Sequence, residues 1–265
     1  MAIDLRHPSP VAVPLSTSLM RYMDVGKFFD LLLTGELHLS RLDLLRGLDP
    51  REGRLPDIAR RDMSDLRRMS LDEIKADGRF RKDQAEILKG SVEFLFEGAE
   101  NFARTTYVSC WHIGAIESMA MWSVYAGRGA AVALHTTVDR LCTACTGDEI
   151  QLLGGGIKYI DPHAVAFEWG NLFNPTFRKH QAFEFEREFR LAWSSIGDRL
   201  REGQKFADPI DPREFVRVKV NLRSLVEAIT PAPNMPQREQ LLVRKIAADF
   251  GFGDCLRESS LTFKL

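Results

Sequence analysis

Between Phe183 and Trp193 the chain alternates. Phe183, Phe185, Phe189, Leu191 and Trp193 fall on one parity, and Glu184, Glu186, Glu188 and Arg190 on the other. A period of two is the signature of a half-buried strand, so the fold must supply a sheet with an apolar side for those rings. The same residues also place Glu184/Glu188 and Glu186/Arg190 at the i,i+4 spacing of helical ion pairs. We read helix up to about Glu186 and strand from there to Trp193.

Short elements of both kinds surround this segment. Leu19–Tyr22 reads as a strand, Val25–Leu33 as a helix ended by Thr34-Gly35, and Glu36–Ser40 as an alternating strand. Arg46–Gly53 reads as a loop, and Asp57–Gly90 as a charged stretch forming one or two exposed helices, an insertion or lid. Ser91–Arg104 is a more apolar helix, Thr105–Trp111 a strand, Ile116–Tyr125 a helix ending at Gly127, and Ala130–Leu134 a buried strand. Gly154-Gly155-Gly156 leads into a strand over Ile157–Ile160. The tail reads as strands at Phe215–Val220 and Leu225–Ile229, a turn at Pro231–Pro236, a helix at Gln237–Phe250 and a last short strand near Cys255. Interleaving of this kind predicts an α+β fold, one domain over 19–265 with a mixed or antiparallel sheet flanked by helices. Residues 1–18 are expected to form a flexible N-terminal arm.

Composition narrows the function classes. Thirty-six Lys and Arg against thirty-seven Asp and Glu leave a formal net charge of −1, so no global field draws the chain to nucleic acid or an anionic membrane. The longest apolar stretches, Phe28–Leu33 and Ala130–Leu134, are far below the roughly 18 residues of a membrane span. The first residues lack the basic end and apolar run of a secretory signal. These features, with four scattered cysteines, predict a cytoplasmic protein with reduced thiols. Cys142-x-x-Cys145 is half of a zinc or redox pattern that nothing else completes.

The carboxylates of 184–188 are the most distinctive chemistry. On a strand, Glu186 and Glu188 point to one face roughly 7 Å apart, with Arg190 next in the row. Such a row can hold a general base, a ribose-binding carboxylate and an orienting cation. The plainer reading is a solvated face with weak ion pairs. Met121, Trp122 and Tyr125 are close enough on a helix to form an aromatic wall, read either as core or as a surface for a flat ligand ring. Arg21-Tyr22 and Tyr107-Val108-Ser109-Cys110-Trp111 complete the candidates. Gly-x-Gly-x-x-Gly, a P-loop, a Gly-x-Ser-x-Gly elbow and His-Glu-x-x-His are all absent from the sequence.

In order along the chain, several of these segments resemble the bacterial domain-of-unknown-function family numbered 2971. The matching residues are Arg21-Tyr22, Leu39-Ser40, Asp49-Pro50-Arg51-Glu52-Gly53, Met121-Trp122-Ser123-Val124-Tyr125 with Gly129–Leu134, and Lys179, Phe183, Glu186, Glu188, Phe189 and Arg190. The chain departs from that pattern at Leu48, where the family has Asn, and at Arg51, where it has an aromatic residue. The family label names no activity, but the resemblance implies that Trp122, Tyr125, Glu186, Glu188 and Arg190 form a site. A first-strand Arg, a strand with Ser and a late Glu-x-Glu strand are also similar, at fold level, to the Arg-Ser-Glu layout of ADP-ribosyltransferases.

That second resemblance implies roles. Arg21 would contact the phosphates of NAD, Ser109 or Ser40 would support the nicotinamide ribose, and Glu188 would stabilise the ribosyl oxocarbenium. Glu186 would activate or orient the acceptor, and Tyr125 or Trp122 would stack on nicotinamide. The implied protein is an NAD-consuming enzyme of toxin or phage-defence type, with NAD as substrate rather than a tightly bound cofactor, and a protein or nucleic acid as acceptor. The alternative is a non-catalytic module that binds a nucleotide, peptide or protein partner.

Overall fold

The computed structural model describes residues 3–125, 129–146, 150–164, 171–204 and 213–262, except the side chains of 93–97 and 99–100. The expected helix end at Gly127 lies outside the described residues.

The first unit forms where the pattern places it. Strand β1 covers Ile3–Asp4 and β2 Ser18–Asp24, and α1 follows at Val25–Thr34. Asp24 caps α1 by accepting the Lys27 N–H at 2.8 Å, and Gly35 closes it in the left-handed conformation at φ 64°. Phe28, Leu31 and Leu32 are its buried face, each contributing about 1.5–3 kcal/mol of transfer free energy. Strand β3 (Glu36–Arg41) follows with alternating burial.

Helices α2 (Asp57–Arg68), α3 (Leu71–Ala76) and α4 (Ala85–Thr105) come next. They correct the reading of 57–90 as exposed helices. Leu66, Ile74, Ala85 and Val92 form a small apolar cluster of their own, and α4 runs unbroken through Gly90. The region is a packed outer layer whose charges hide an apolar stripe.

Strand β4 (Thr106–Ile113), α5 (Met119–Tyr125), β5 (Ala131–Thr137), α6 (Val138–Ala144), β6 (Leu152–Gly156), β7 (Lys158–Ile160), β8 (Arg178–His180) and β9 (Glu188–Ser194) follow. The chain closes with α7 (Ile196–Arg201), β10 (Phe215–Lys219), α8 (Leu222–Leu225), β11 (Ala228–Pro231) and α9 (Gln237–Asp249). Leu225, expected in a strand, ends α8 instead. The strand expected near Cys255 is a 3₁₀ turn over Gly253–Cys255, with a single bridge from Leu256 to Ile229.

The main sheet has nine strands in the order β1-β6-β9-β4-β2-β5-β11, with β3 also paired to β4 and β10 to β3. It is mixed, because β1 runs parallel to β6 while its other ladders are antiparallel. One face packs on Phe28, Trp111, Phe189 and Leu191 among others, and the opposite face on Leu42, Val108, Phe177 and Ala192. Both faces are covered, so β9 is buried from Glu188 to Ala192. Of the two readings of the carboxylate row, the solvated face is the one overturned, because its charges lie inside.

Residues 3–13 are not a loose arm. Ile3 pairs with Leu152, is 1% exposed, and Val11 exchanges both backbone hydrogen bonds with Gly156 at 2.8 Å. Three glycines make this possible. They lie within β6 rather than ahead of a strand, and a Cβ on Gly154 would sit 2.8 Å from Ile3 and one on Gly155 2.5 Å from Pro10. The strand is smooth because the arm lies on it.

Candidate functional site

A notch in the sheet lies beside several of the singled-out residues. Strand β4 pairs with β9 along its whole length on one edge. On its other edge it pairs with β2 only at Leu19↔Ile113 and Met20↔His112, and with β3 only at Ser40↔Val108 and Arg41↔Tyr107. Ser109, Cys110 and Trp111 therefore face a gap between β2 and β3. Arg21 spans it. Its guanidinium donates to the His38 carbonyl on β3 at 3.0 Å and lies 5.6 Å from the centre of the Trp111 ring. Among the described residues it makes no ion pair, and burial lowers its pKa. The Ser109 hydroxyl and the Trp111 indole N–H are buried there, with no hydrogen-bond partner among the described residues. Native proteins rarely leave such groups unmatched.

Next to the gap lies a narrow cleft with room for about 10 Å³, lined by Met20, Tyr22, Cys110, Tyr125, Glu186 and Glu188 with their neighbours. The local backbone explains how two glutamates two residues apart reach it. Gln181–Glu186 is a 3₁₀ turn, and Arg187 follows in the left-handed region at φ 42°, an uncommon conformation for a side chain larger than glycine. The His180 ring starts the turn by accepting the Ala182 N–H at 3.0 Å. Glu186 is anchored through its carbonyl, 2.7 Å from the His112 ring nitrogen, and Glu188 through its N–H, which donates to the Tyr159 hydroxyl at 2.8 Å.

Beneath the cleft is a buried ion network. Arg190, fully buried, donates to Glu188 at 2.6 Å, to Glu52 at 2.7 and 3.3 Å and to the Thr176 carbonyl at 2.6 Å. Lys179 bonds Glu186 and lies 3.5 Å from Glu188 and 3.8 Å from Glu52. Burial by itself would raise the Glu188 pKa, but Arg190 and Lys179 outweigh it and hold the carboxyl at about 2. Glu186 goes the other way: burial and the neighbouring Glu188 charge raise it despite Lys179. Three carboxylates against two cations leave one negative charge in excess, which opposes the ionisation of Glu186. Burial also pushes the Cys110 thiol well up, beside Glu188, so it stays protonated. Tyr125 is raised by burial too, with Cys110 and both glutamates adding to the effect.

The site residues thus divide. Tyr125, Glu186 and Glu188 line one cleft, whereas the strand registers place Arg21 and Ser109 on the opposite face of the sheet, beside the gap. Arg190 lies beneath, fully occupied by its partners. Trp122 does not face the cleft. It is 3% exposed, packs edge-on against Tyr22 at 4.8 Å, and its N–H donates to Glu117. Ser40 lies beyond the gap, its hydroxyl 3.5 Å from the His38 ring. Cys142 and Cys145 belong to α6 and its end, with Cys145 raised by burial to about 12; among the described residues no three His, Cys, Asp or Glu side chains cluster as metal ligands.

Sequence reasoning missed Glu52, Lys179's ammonium as a bridge, and Tyr159. Glu52 had a signal in the loop Asp49–Gly53. Asp49 accepts the Arg51 N–H at 2.9 Å, and Gly53 turns at φ 64° where a Cβ would strike Leu42 at 2.7 Å. The loop, altered at Leu48 and Arg51, still delivers Glu52 to Arg190. Among the described residues, no helix is long and apolar enough to cross a membrane. No protein-family model, curated protein or solved structure matches this chain.

Proposed function

We propose that the notch and its cleft form the site of an NAD-consuming glycosyl transfer of the ADP-ribosyltransferase kind. The observation that carries the reading is that a desolvated cation, Arg21, with no ion pair among the described residues, adjoins a cleft holding two carboxylates in opposite protonation tendencies. Pairs of acids pushed apart in this way are how acid and base roles are divided. Arg21 takes the pyrophosphate, as a guanidinium suits bidentate phosphate contact. The glycosidic C–N bond breaks with its electron pair leaving on nicotinamide, and the ionised Glu188 faces the positive charge that develops on the ribose. The acceptor nucleophile then bonds to that carbon and passes its proton to Glu186, whose raised pKa brings it toward the range where a general base works best. Tyr125 supplies the ring wall. With room for only about 10 Å³, the cleft must widen to admit the nicotinamide end, and the adenosine half lies outside.

One observation favours the alternative of a binding module without turnover: both Glu188 oxygens are already engaged, by Arg190 and Lys179. Turnover separates the two. With millimolar NAD the purified protein is expected to release nicotinamide and to melt at a higher temperature. Glu188→Gln should lower release about a hundredfold or more, and Glu186→Gln should lower it while keeping the thermal shift. A shift without release favours the module; no shift and no release with NAD sinks both the enzyme and an NAD-binding module.

A further inference from the structure

A second concavity lies at the far end of the β4–β9 ladder from the cleft, with room for about 290 Å³. That reaches the lower end of the range for small-molecule pockets, about 300–1,000 Å³. Trp193 and Tyr107 face each other across the ladder and point to the side of the sheet opposite Glu188. Their rings stack at 5.7 Å and 28°, which holds the half-buried Trp193 indole as a fixed flat wall beside Val216. Two further lining groups carry opposite charge. Arg213 stands just before β10, where the backbone is pinned to β3: Arg41 donates from its guanidinium to the Arg213 carbonyl at 3.3 Å and from its N–H to the Glu214 carbonyl at 2.9 Å. Glu202 stands at the end of α7. Both side chains are exposed, and among the described residues neither makes a hydrogen bond or an ion pair, although they line the same pocket. The other two charges there are committed, Asp198 to Arg201 and Arg199 to partners of its own.

We infer that this pocket binds a free aromatic amino acid. The ring of the ligand lies against the Trp193 indole, its carboxylate meets Arg213, and its ammonium meets Glu202, both through charge-assisted hydrogen bonds. The balance of charge selects the zwitterion. One uncommitted cation and one uncommitted anion sum to zero, whereas a nucleotide phosphate brings close to two negative charges toward a single guanidinium with a carboxylate beside it. An amine alone would leave Arg213 unmatched, and an acid alone would leave Glu202 so. The pocket shares no lining residue with the cleft, so the inference does not depend on glycosyl transfer there.

Calorimetry of the full chain with tryptophan and phenylalanine tests it. The comparison ligands are the matching amines without the carboxylate, the matching acids without the ammonium, and AMP. At least one amino acid should bind at millimolar concentration or below, and its amine and acid counterparts about tenfold more weakly or worse. Glu202→Gln and Arg213→Gln should each weaken amino-acid binding by about tenfold. Both residues are exposed, so an unchanged melting temperature should accompany the loss. Arg81→Ala, at an exposed site elsewhere, should bind as the wild type does. No binding of either amino acid, an amine or acid that binds as tightly as its parent, or tighter binding of AMP overturns the inference. Unchanged binding in Glu202→Gln and Arg213→Gln places the ligand elsewhere and overturns it too. None of these readouts uses nicotinamide release, so failure of this pocket and failure of the cleft as an enzyme are told apart.

Discussion

Arg190 and Arg79 are built from the same chemistry and teach opposite lessons. Arg190 joins Glu188 and Glu52 with none of its side chain exposed. Arg79 joins Asp62, Asp65 and Asp77 with 44% of its side chain exposed. Water screens the second set, whose charges lose little when a partner is removed. The first set has given up its hydration, and each charge depends on the others being present. Position in the fold, not the number of ion pairs, decides what a pair contributes.

Breaking the buried set should have the largest effect. Arg190→Met leaves Glu188 and Glu52 buried without their shared cation and is expected to cost about 3–5 kcal/mol in urea unfolding. A loss under 1 kcal/mol would mean that the network is wetter than the packing indicates. The next effect is on acid stability. A carboxyl whose folded pKa is held near 2 contributes stability above its unfolded value of 4.5 and loses it as pH falls toward 2. The acid limb of the stability curve should therefore flatten in Glu188→Gln. Glu186 has the reverse sign. Its raised folded pKa gives stability that is complete below 4.5 and lost as pH rises through the higher value, so Glu186→Gln should gain stability at neutral pH relative to acid.

A steric test comes next in size. Gly155→Val would place its Cβ 2.5 Å from Pro10 and 2.9 Å from the Val11 carbonyl, and should cost about 1–3 kcal/mol while making residues near Val11 open to protease. Arg79→Ala should change the melting temperature least, and added salt should erase what change there is. If Arg79→Ala matched Arg190→Met, burial would not be the controlling variable.

The strands were legible where side chains alternate within a few residues, as in Leu37 and Leu39 or in Phe189, Leu191 and Trp193. Such periodicity is local and survives in the sequence. The second face of β9 was not legible, because Glu188 and Arg190 look solvated until Glu52 and Lys179 are brought over them. The notch was hidden for a related reason: registers among β2, β3 and β4 are long-range facts. The turn at Arg187 had no signal either, since a left-handed arginine is forced by the two anchored glutamates around it rather than by its own preference.

The pairing of Ile3 with Leu152 sets an order of assembly. Strand β6 cannot receive its outer neighbour until the chain has been made past Gly156, so residues 3–11 must wait unpaired while most of the fold is synthesised. Until they dock, β6 presents an open hydrogen-bonding edge whose glycines offer no bulk to repel another chain. Docking of the arm is thus the step that ends this exposure, and conditions that slow it should favour association between incompletely folded copies over completion of the fold.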